Sequence, residues 1–225
     1  MRERTTAVAV ALGLAVAGLA CSSPEKNVVN QYFGALRAND QGTLTSFAMV
    51  AFDQKVDDFE VVSVSPGTKT PATLPGLVKK TAELEAQQKA NEKEYPAWGN
   101  DLAVYPKLEK MRAARAKGGK MPADLQPTAD KFDAYQAKDR DLKKAVSDSR
   151  AAVEREKRNV ALSVGQSDDI ETLTGEVLSK DVNVNLTIGG QVKPYVMTLR
   201  KYELTGGTGS RMVARWVVES LVPKG

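Results

Sequence analysis

The organisation of the chain is clearest in residues 125–164, which read LQPTADKFDAYQAKDRDLKKAVSDSRAAVEREKRNVALSV. Eleven positions spaced alternately by three and four residues form one stripe through this segment, and seven of them are apolar. Such a stripe is typical of a long helix that packs along a partner helix. The stripe consists of Leu125, Thr128, Phe132, Tyr135, Asp139, Leu142, Val146, Ser149, Val153, Glu156 and Val160.

The partner helix is predicted in the residues just before this segment. A second stripe begins with Leu74, Leu77, Thr81 and Leu84 and becomes polar and then aromatic farther along. Gly118-Gly119 predicts the turn between the two helices, since glycine readily ends a helix. Residues 74–164, which contain 19 basic and 14 acidic residues, are therefore predicted to form one long antiparallel helical hairpin.

Prolines mark the irregular points of this hairpin. Pro96 and Pro106 each remove a backbone donor, so the first helix is expected to kink or break there. Pro122 is predicted in the first turn of the second helix, with Asp124 as a possible cap.

Three aromatic residues of the first helix are the candidate partner-contact residues: Tyr95, Trp98 and Tyr105. Large aromatic side chains often act as anchors in protein interfaces. The alternative is that they pack one helix against the other. The many charges are best explained as a solvated surface.

The N-terminus has the pattern of an export signal. Arg2 and Arg4 precede an apolar run from Ala7 to Ala20, which is too short to span a bilayer. We therefore predict a signal peptide over residues 1–20. Cys21, the single cysteine of the chain, follows it directly.

Gly18-Leu19-Ala20-Cys21 resembles the lipobox of bacterial lipoproteins. The resemblance implies that Cys21 carries acyl chains and that residues 21–27 form a lipidated tether to the cell envelope. Ser22 would then be compatible with the periplasmic face of the outer membrane in a host with two membranes. The alternative is cleavage after Ala15-Val16-Ala17, which would leave a free thiol.

The rest of the composition excludes several classes of site. The chain has no histidine, which is the commonest general base and metal ligand. A single cysteine cannot form an intramolecular disulfide or a cysteine-based metal site. The net charge of +4 is far from a nucleic-acid-binding signature. We accordingly predict no cofactor, no metal and no nucleic-acid partner.

Residues 28–67 and 165–222 are predicted to form one split α+β domain around the hairpin. The first part contains an apolar helical face near Tyr32, a short second helix and a strand over residues 59–65, followed by a linker over residues 68–73. The second part contains three strands, over residues 172–188, 192–204 and 211–222, with a tight turn at Gly189-Gly190. Gly175 is expected to mark a bulge or bend.

This layout resembles the cystatin-like cone of the nuclear-transport-factor-two-like superfamily. The residues that carry the resemblance are Asn27 to Leu36, Asn39-Asp40, Tyr195 to Lys201 and Arg215 to Leu221. It implies two N-terminal helices against a curled antiparallel sheet. Some members use a pocket between helix and sheet for isomerase or dehydratase chemistry, with an acidic residue or a histidine.

No residue pattern identifies such chemistry in this chain. The carboxylates available are those of Asp53, Asp57, Asp58, Glu60 and Glu176, and none has a recognisable catalytic partner. We therefore predict a non-enzymatic, lipid-anchored envelope protein that contacts another envelope component or a second copy of itself through its helices. The alternative is a carrier of a small apolar ligand, or an isomerase-like enzyme, that uses a pocket in the cone.

Overall fold

The computed structural model describes residues 23–101, 103–118, 120–165, 169–206, 209 and 211–225, and only the backbone at residues 95, 96, 98 and 99. The predicted signal peptide and Cys21 lie outside the described residues. Within them the chain forms five α-helices and a five-stranded antiparallel sheet, which confirms the predicted α+β class.

Two short helices open the described chain. Helix α1 spans Pro24–Arg37, and the Ser23 side chain caps it by accepting a hydrogen bond from the Lys26 amide. Asn39 adopts a left-handed conformation with φ of 54°, which ends the helix. Asp40 then caps α2, which spans Gln41–Phe47, by accepting a hydrogen bond from the Thr43 amide at 2.9 Å.

A long β-hairpin forms the centre of the sheet. Strand β3 spans Thr174–Ile188 and β4 spans Gln191–Thr205, in unbroken register from Thr174 opposite Thr205 to Ile188 opposite Gln191. Gly189 and Gly190 both have positive φ values, as the predicted two-residue turn requires. Of the predicted bulge or bend at Gly175, the bulge is wrong, because the register of β3 with β4 is unbroken there. This residue must be glycine because a Cβ atom there would lie 2.2 Å from the Glu203 carbonyl oxygen.

The chain before the helical region pairs with β3. Strand β1 spans Asp58–Val64 and pairs with the part of β3 near the turn, while β2 spans Thr68–Pro71 and pairs with residues 176–179. The prediction of a linker over residues 68–73 is therefore wrong, because the free edge of β3 provides hydrogen-bond partners for this short segment.

The last strand is shorter than predicted. Strand β5 spans Val217–Pro223 and pairs with β4. Arg211 forms only an isolated bridge with Thr205. Before β5, the Arg215 amide donates to the Ser163 carbonyl at 2.9 Å, so at this point the backbone pairs with a helix end and not with the sheet.

The two faces of the sheet pack on different helices. On one face, Tyr32 and Phe33 of α1 lie against Val182, Met197 and neighbouring apolar residues, all of them buried. Because side chains alternate along a strand, Val177 and Tyr202 point to the opposite face. There they are buried in a second cluster with residues of the helical region.

The helical region, defined here as α3, α4 and α5, occupies residues 74–164. Helix α3 spans Leu74–Gly99, α4 spans Tyr105–Ala116 and α5 spans Gln126–Val164. The first predicted helix is thus broken between Gly99 and Tyr105, and Pro106 lies in the first turn of α4. Helix α5 begins later than Pro122. Asp124 does not cap it, and Pro127 occupies its first turn.

Candidate functional site

Helices α3 and α5 pack antiparallel along a mixed polar and apolar seam. Thr81 and Ser149 share a hydrogen bond at 2.7 Å between their hydroxyls. Farther along α3, Glu94 pairs with Lys138 at 3.1 Å, so contacts advance along one helix as they recede along the other. Helix α5, with 39 residues, is about 58 Å long.

The two sides of this seam differ at the level of Thr81. On one side Glu85 and Arg150 bridge the helices at 2.7 Å. On the other side a groove of about 330 Å³ lies open between the helices. Its lining combines half-buried apolar side chains with one basic and one acidic residue: Leu77, Lys80, Leu84, Ala145, Asp148, Ser149 and Ala152.

Polar groups without partners lie farther along the seam. Asn91 is 1% exposed, and neither atom of its side-chain amide has a hydrogen-bond partner within the described part of the protein. One carboxylate oxygen of Asp139 is also buried without a hydrogen-bond partner among the described residues. Because an unsatisfied buried polar group is costly, this part of the helix pair is weakly held.

The far end of the helical region has its own small core. Leu108 and Met111 of α4 are buried against Ala129 of α5. Arg115 adds two hydrogen bonds to the Asp133 carboxylate, at 2.8 and 2.7 Å. These contacts join α4 to α5.

The predicted partner-contact residues are only partly described. Tyr105 is 53% exposed at the start of α4, where a large aromatic side chain is open to solvent. The side chains of Tyr95 and Trp98 lie outside the described residues. Their role stays a prediction.

A cluster of polar side chains around buried Glu156 joins α5 to the sheet. Glu156, 6% exposed, accepts a hydrogen bond from the Thr73 hydroxyl at 3.0 Å, and its other carboxylate oxygen lies 3.6 Å from Arg200 of β4. Nε of Arg200 also lies 2.7 Å from a carboxylate oxygen of Glu219, although its N–H is not directed at that oxygen. Burial raises the pKa of Tyr202 well above its usual range, against the opposing effect of Arg200 beside it. We call Thr73, Glu156, Arg200, Tyr202 and Glu219 the junction cluster.

A second set of hydrogen bonds fixes the end of α5. The Ser163 hydroxyl accepts from the Tyr202 amide at 3.0 Å and donates to the Arg215 carbonyl at 2.7 Å. The Arg215 guanidinium in turn donates to the carbonyls of Leu162 and Ser46. The orientation of α5 relative to the sheet is therefore defined by several directional bonds.

The sequence shows one sign of this junction. Glu156 occupies the apolar stripe of α5, where a charge needs a buried partner. Its partners come from distant parts of the chain, so spacing alone does not identify them.

Apolar side chains fill the space between α1 and the sheet. Tyr32 and Phe33 are fully buried, and Phe33 stacks on Phe59 with 4.6 Å between ring centroids. Leu186, Met197 and Leu199 approach from the sheet and are fully buried as well.

The predicted carboxylates do not form one site. Asp53 and Asp57 line an open cleft of about 680 Å³ beside the end of α1, and both are exposed. Asp58 pairs with Arg37 at 2.9 Å, and the hydrogen bond from Arg37 holds the pKa of this carboxyl below its usual range. Glu60 is exposed on β1, and Glu176 pairs with Lys69 at 3.0 Å.

The described residues provide neither a metal-binding group nor a membrane-spanning helix. Within the described ranges, no three histidine, cysteine, aspartate or glutamate residues are grouped closely enough to hold a metal ion. No helix in the described part of the chain combines the length and apolar character needed to cross a bilayer.

Comparison with known proteins gives no relative. No protein-family model, no curated protein and no solved structure matches this chain.

Proposed function

We propose that this protein is an exported, lipid-anchored and non-catalytic envelope protein that binds a protein partner through its helical region. In this proposal α3, α4 and α5 form a helical hairpin inserted into a small cone of α1, α2 and the sheet. Cys21 carries the lipid, and the hairpin acts as a projecting arm.

The observation that carries the proposal is the contrast between a filled interior and an open helical surface. Fully buried side chains occupy the space between α1 and the sheet, where a ligand of the cone would bind. Two half-exposed leucines instead line the groove between α3 and α5. A partially apolar groove between two helices suits recognition of another helix.

The junction cluster supports the same proposal. A docking arm has to be held at a defined angle, because a freely pivoting arm loses more conformational entropy on binding. Glu156, Arg200 and Glu219 join the sheet-proximal part of α5 to two strands. The rest of α5 extends beyond these contacts.

Cross-linking in the cell envelope tests the proposal. A photo-reactive residue placed at Lys117, next to the turn after α4, is expected to capture a discrete protein that mass spectrometry identifies. The matched control carries the probe at Gln54 in the cleft lined by Asp53 and Asp57. Capture of a protein from Gln54 alone would contradict the proposal, because the partner would then contact the small domain and not the helical region.

A separate experiment tests the anchor. Replacing Cys21 with alanine is expected to move the protein from the membrane fraction to the soluble fraction. Retention of the Cys21→Ala variant in the membrane would contradict lipidation at this residue.

A further inference from the structure

The groove between α3 and α5 has two walls of complementary charge and shape. The α3 wall carries Leu77, Lys80 and Leu84, and the α5 wall carries two alanines and Asp148. One wall is therefore bulky and basic, whereas the other is small and acidic.

The charged residues on the two walls of the groove, Lys80 and Asp148, do not form an ion pair with each other. Lys80 has no ion pair within the described ranges of the chain. Asp148 pairs with Lys144 one turn earlier on its own helix. On the opposite side of the same seam, Glu85 and Arg150 do bridge the helices. The two helices are thus bridged by an ion pair on the side opposite the groove, whereas on the groove side Asp148 pairs only along its own helix and Lys80 has no ion pair among the described residues.

We propose that this groove is the contact surface between two copies of the chain, related by a two-fold axis parallel to α3 and α5. The proposal rests on the proposed function, which it deepens by naming a second copy as a partner of the helical region. In this arrangement α3 of each copy faces α5 of the other, and both sheets lie at the same end of the dimer.

The register of the seam places matching groups opposite one another. Thr81 is level with Ser149 through their hydrogen bond. Lys80 and Asp148 are each one residue from that level, so across the dimer they are offset by about 3 Å along the axis. Each Lys80 can therefore reach Asp148 of the second copy, and symmetry gives two such pairs.

The apolar residues match in the same register. Counting from Thr81 and Ser149, Leu77 lies within about 1.5 Å of the level of Ala152 along the helix axes, and Leu84 lies within about 1.5 Å of the level of Ala145. Across the proposed dimer each leucine therefore meets an alanine, in the manner of a knob in a hole.

The other two-fold arrangement of the same groove is unfavourable. With the axis perpendicular to the helices, α3 would face α3 and α5 would face α5. Lys80 would then lie near Lys80 of the second copy, leucines would meet leucines, and alanines would leave a gap. Like charges that face each other in an interface disfavour it.

Charge reversal tests the proposal without touching the core. The full chain, solubilised in a density-matched detergent, is measured by sedimentation equilibrium at several dilutions in about 0.1 M salt. We expect a dimer for the natural chain. Lys80→Glu and Asp148→Lys each turn two attractive pairs into repulsive ones, and each should raise the dissociation constant roughly tenfold or more.

Two rescues make the test specific. The double variant Lys80→Glu/Asp148→Lys should dimerise again. So should an equimolar mixture of the two single variants, because each chain then supplies the charge that the other needs. The matched control is Lys79→Glu, the same charge change one residue away and outside the groove, which should leave dimerisation unchanged.

The outcomes separate this inference from the proposed function. A natural chain that stays monomeric, or single variants that dimerise normally, would overturn the dimer. A different protein captured from Lys117 would in that case leave the proposed function standing. Failure of both rescues while the variants keep the natural circular dichroism spectrum would overturn the proposed symmetry.

Discussion

The sheet and the helical region are stabilised in different ways. On the sheet face that packs on α1, large side chains such as Tyr32, Phe33 and Met197 are fully buried. Between α3 and α5 the seam combines smaller apolar side chains such as Val146 with a hydroxyl pair, two ion pairs and a buried amide that has no partner among the described residues. Apolar burial contributes far more free energy than exposed ion pairs do. We therefore expect the sheet with α1 to be the more stable region and the helical region to be the less stable one.

The strongest test of this comparison removes a core ring. Phe33→Ala deletes a fully buried side chain that contacts Tyr32 and Phe59, and it should lower the free energy of unfolding by about 3–5 kcal/mol. Urea unfolding followed by circular dichroism measures this. Val62→Ala, at a side chain that is 56% exposed, is the control and should change little. A loss below 1 kcal/mol would mean that this core is not the more stable region.

Disruption of the junction cluster should have the next largest effect on the free energy of unfolding. Arg200→Met leaves buried Glu156 without its cation and leaves Glu219 with only the exposed Arg155, at 3.7 Å, so the free energy of unfolding should fall by about 3 kcal/mol. Hydrogen exchange should show faster opening in residues 153–164 than in β3. Arg211→Met, at a more exposed arginine, is the control. Equal protection of both segments in Arg200→Met would show that the cluster does not join the two regions.

Alkaline pH probes one buried tyrosine on each face of the sheet, Tyr32 and Tyr202. Burial raises the pKa of Tyr32 to about 12, above its unfolded value of about 10. The stabilisation by the neutral hydroxyl is therefore complete below pH 10 and is lost as the pH rises towards 12, to a total of about 2–3 kcal/mol.

Tyr32→Phe should reduce this loss of stability at alkaline pH. At neutral pH it should cost only about 1 kcal/mol, for the hydrogen bond that the Tyr32 hydroxyl donates to the Val50 carbonyl. Urea unfolding between pH 8 and pH 11 compares the variant with the natural chain and with Tyr202→Phe in the junction cluster. An unchanged alkaline decline in both variants would contradict these pKa directions.

Replacing a buried polar side chain of the α3–α5 seam by an apolar one should increase stability. Asn91→Leu replaces a buried amide that has no hydrogen-bond partner in the described part of the protein by an apolar side chain, and it should stabilise the helical region by about 1–2 kcal/mol. Slower hydrogen exchange in α3 and in the middle of α5 would report it. Gln88→Leu, one turn earlier at a half-exposed position, is the control and should change less. Destabilisation by Asn91→Leu would show that the amide has a partner, such as a buried water.

The smallest effect on stability is expected from the ion pair that bridges α3 and α5 on the side opposite the groove. Arg150→Ala removes the contact with Glu85, and since the pair is largely exposed the change should be under about 1 kcal/mol and should shrink in high salt. Thermal unfolding at two salt concentrations measures it. A salt-independent loss above 2 kcal/mol would place this bridge among the main stabilising contacts.

Periodicity predicted the regular elements well. The stripe that starts at Leu125 and ends near Val160 corresponds to α5, and Gly189-Gly190 was correctly predicted as the turn between β3 and β4. These signals are local, because each depends on residues within one helix or one turn. The domain boundaries, the cone and the helical insertion remain proposals.

The errors arose where a segment found its partner elsewhere in the chain. Residues 68–71 have little strand signal but pair with the free edge of β3. The segment before β5 alternates like a strand, yet Arg215 binds the end of α5. Hydrogen bonding to a distant element decided the structure of both segments.

The sequence by itself determined the α+β class, the long second helix and the absence of histidine chemistry, because composition and periodicity are properties of neighbouring residues. Only the tertiary structure placed Glu156 beside Arg200. It also left a groove on one side of the α3–α5 seam, whereas Glu85 and Arg150 bridge the helices on the other side. These features depend on which residues meet across large sequence separations. Contacts of this kind form only when the chain folds, so local sequence patterns do not predict them.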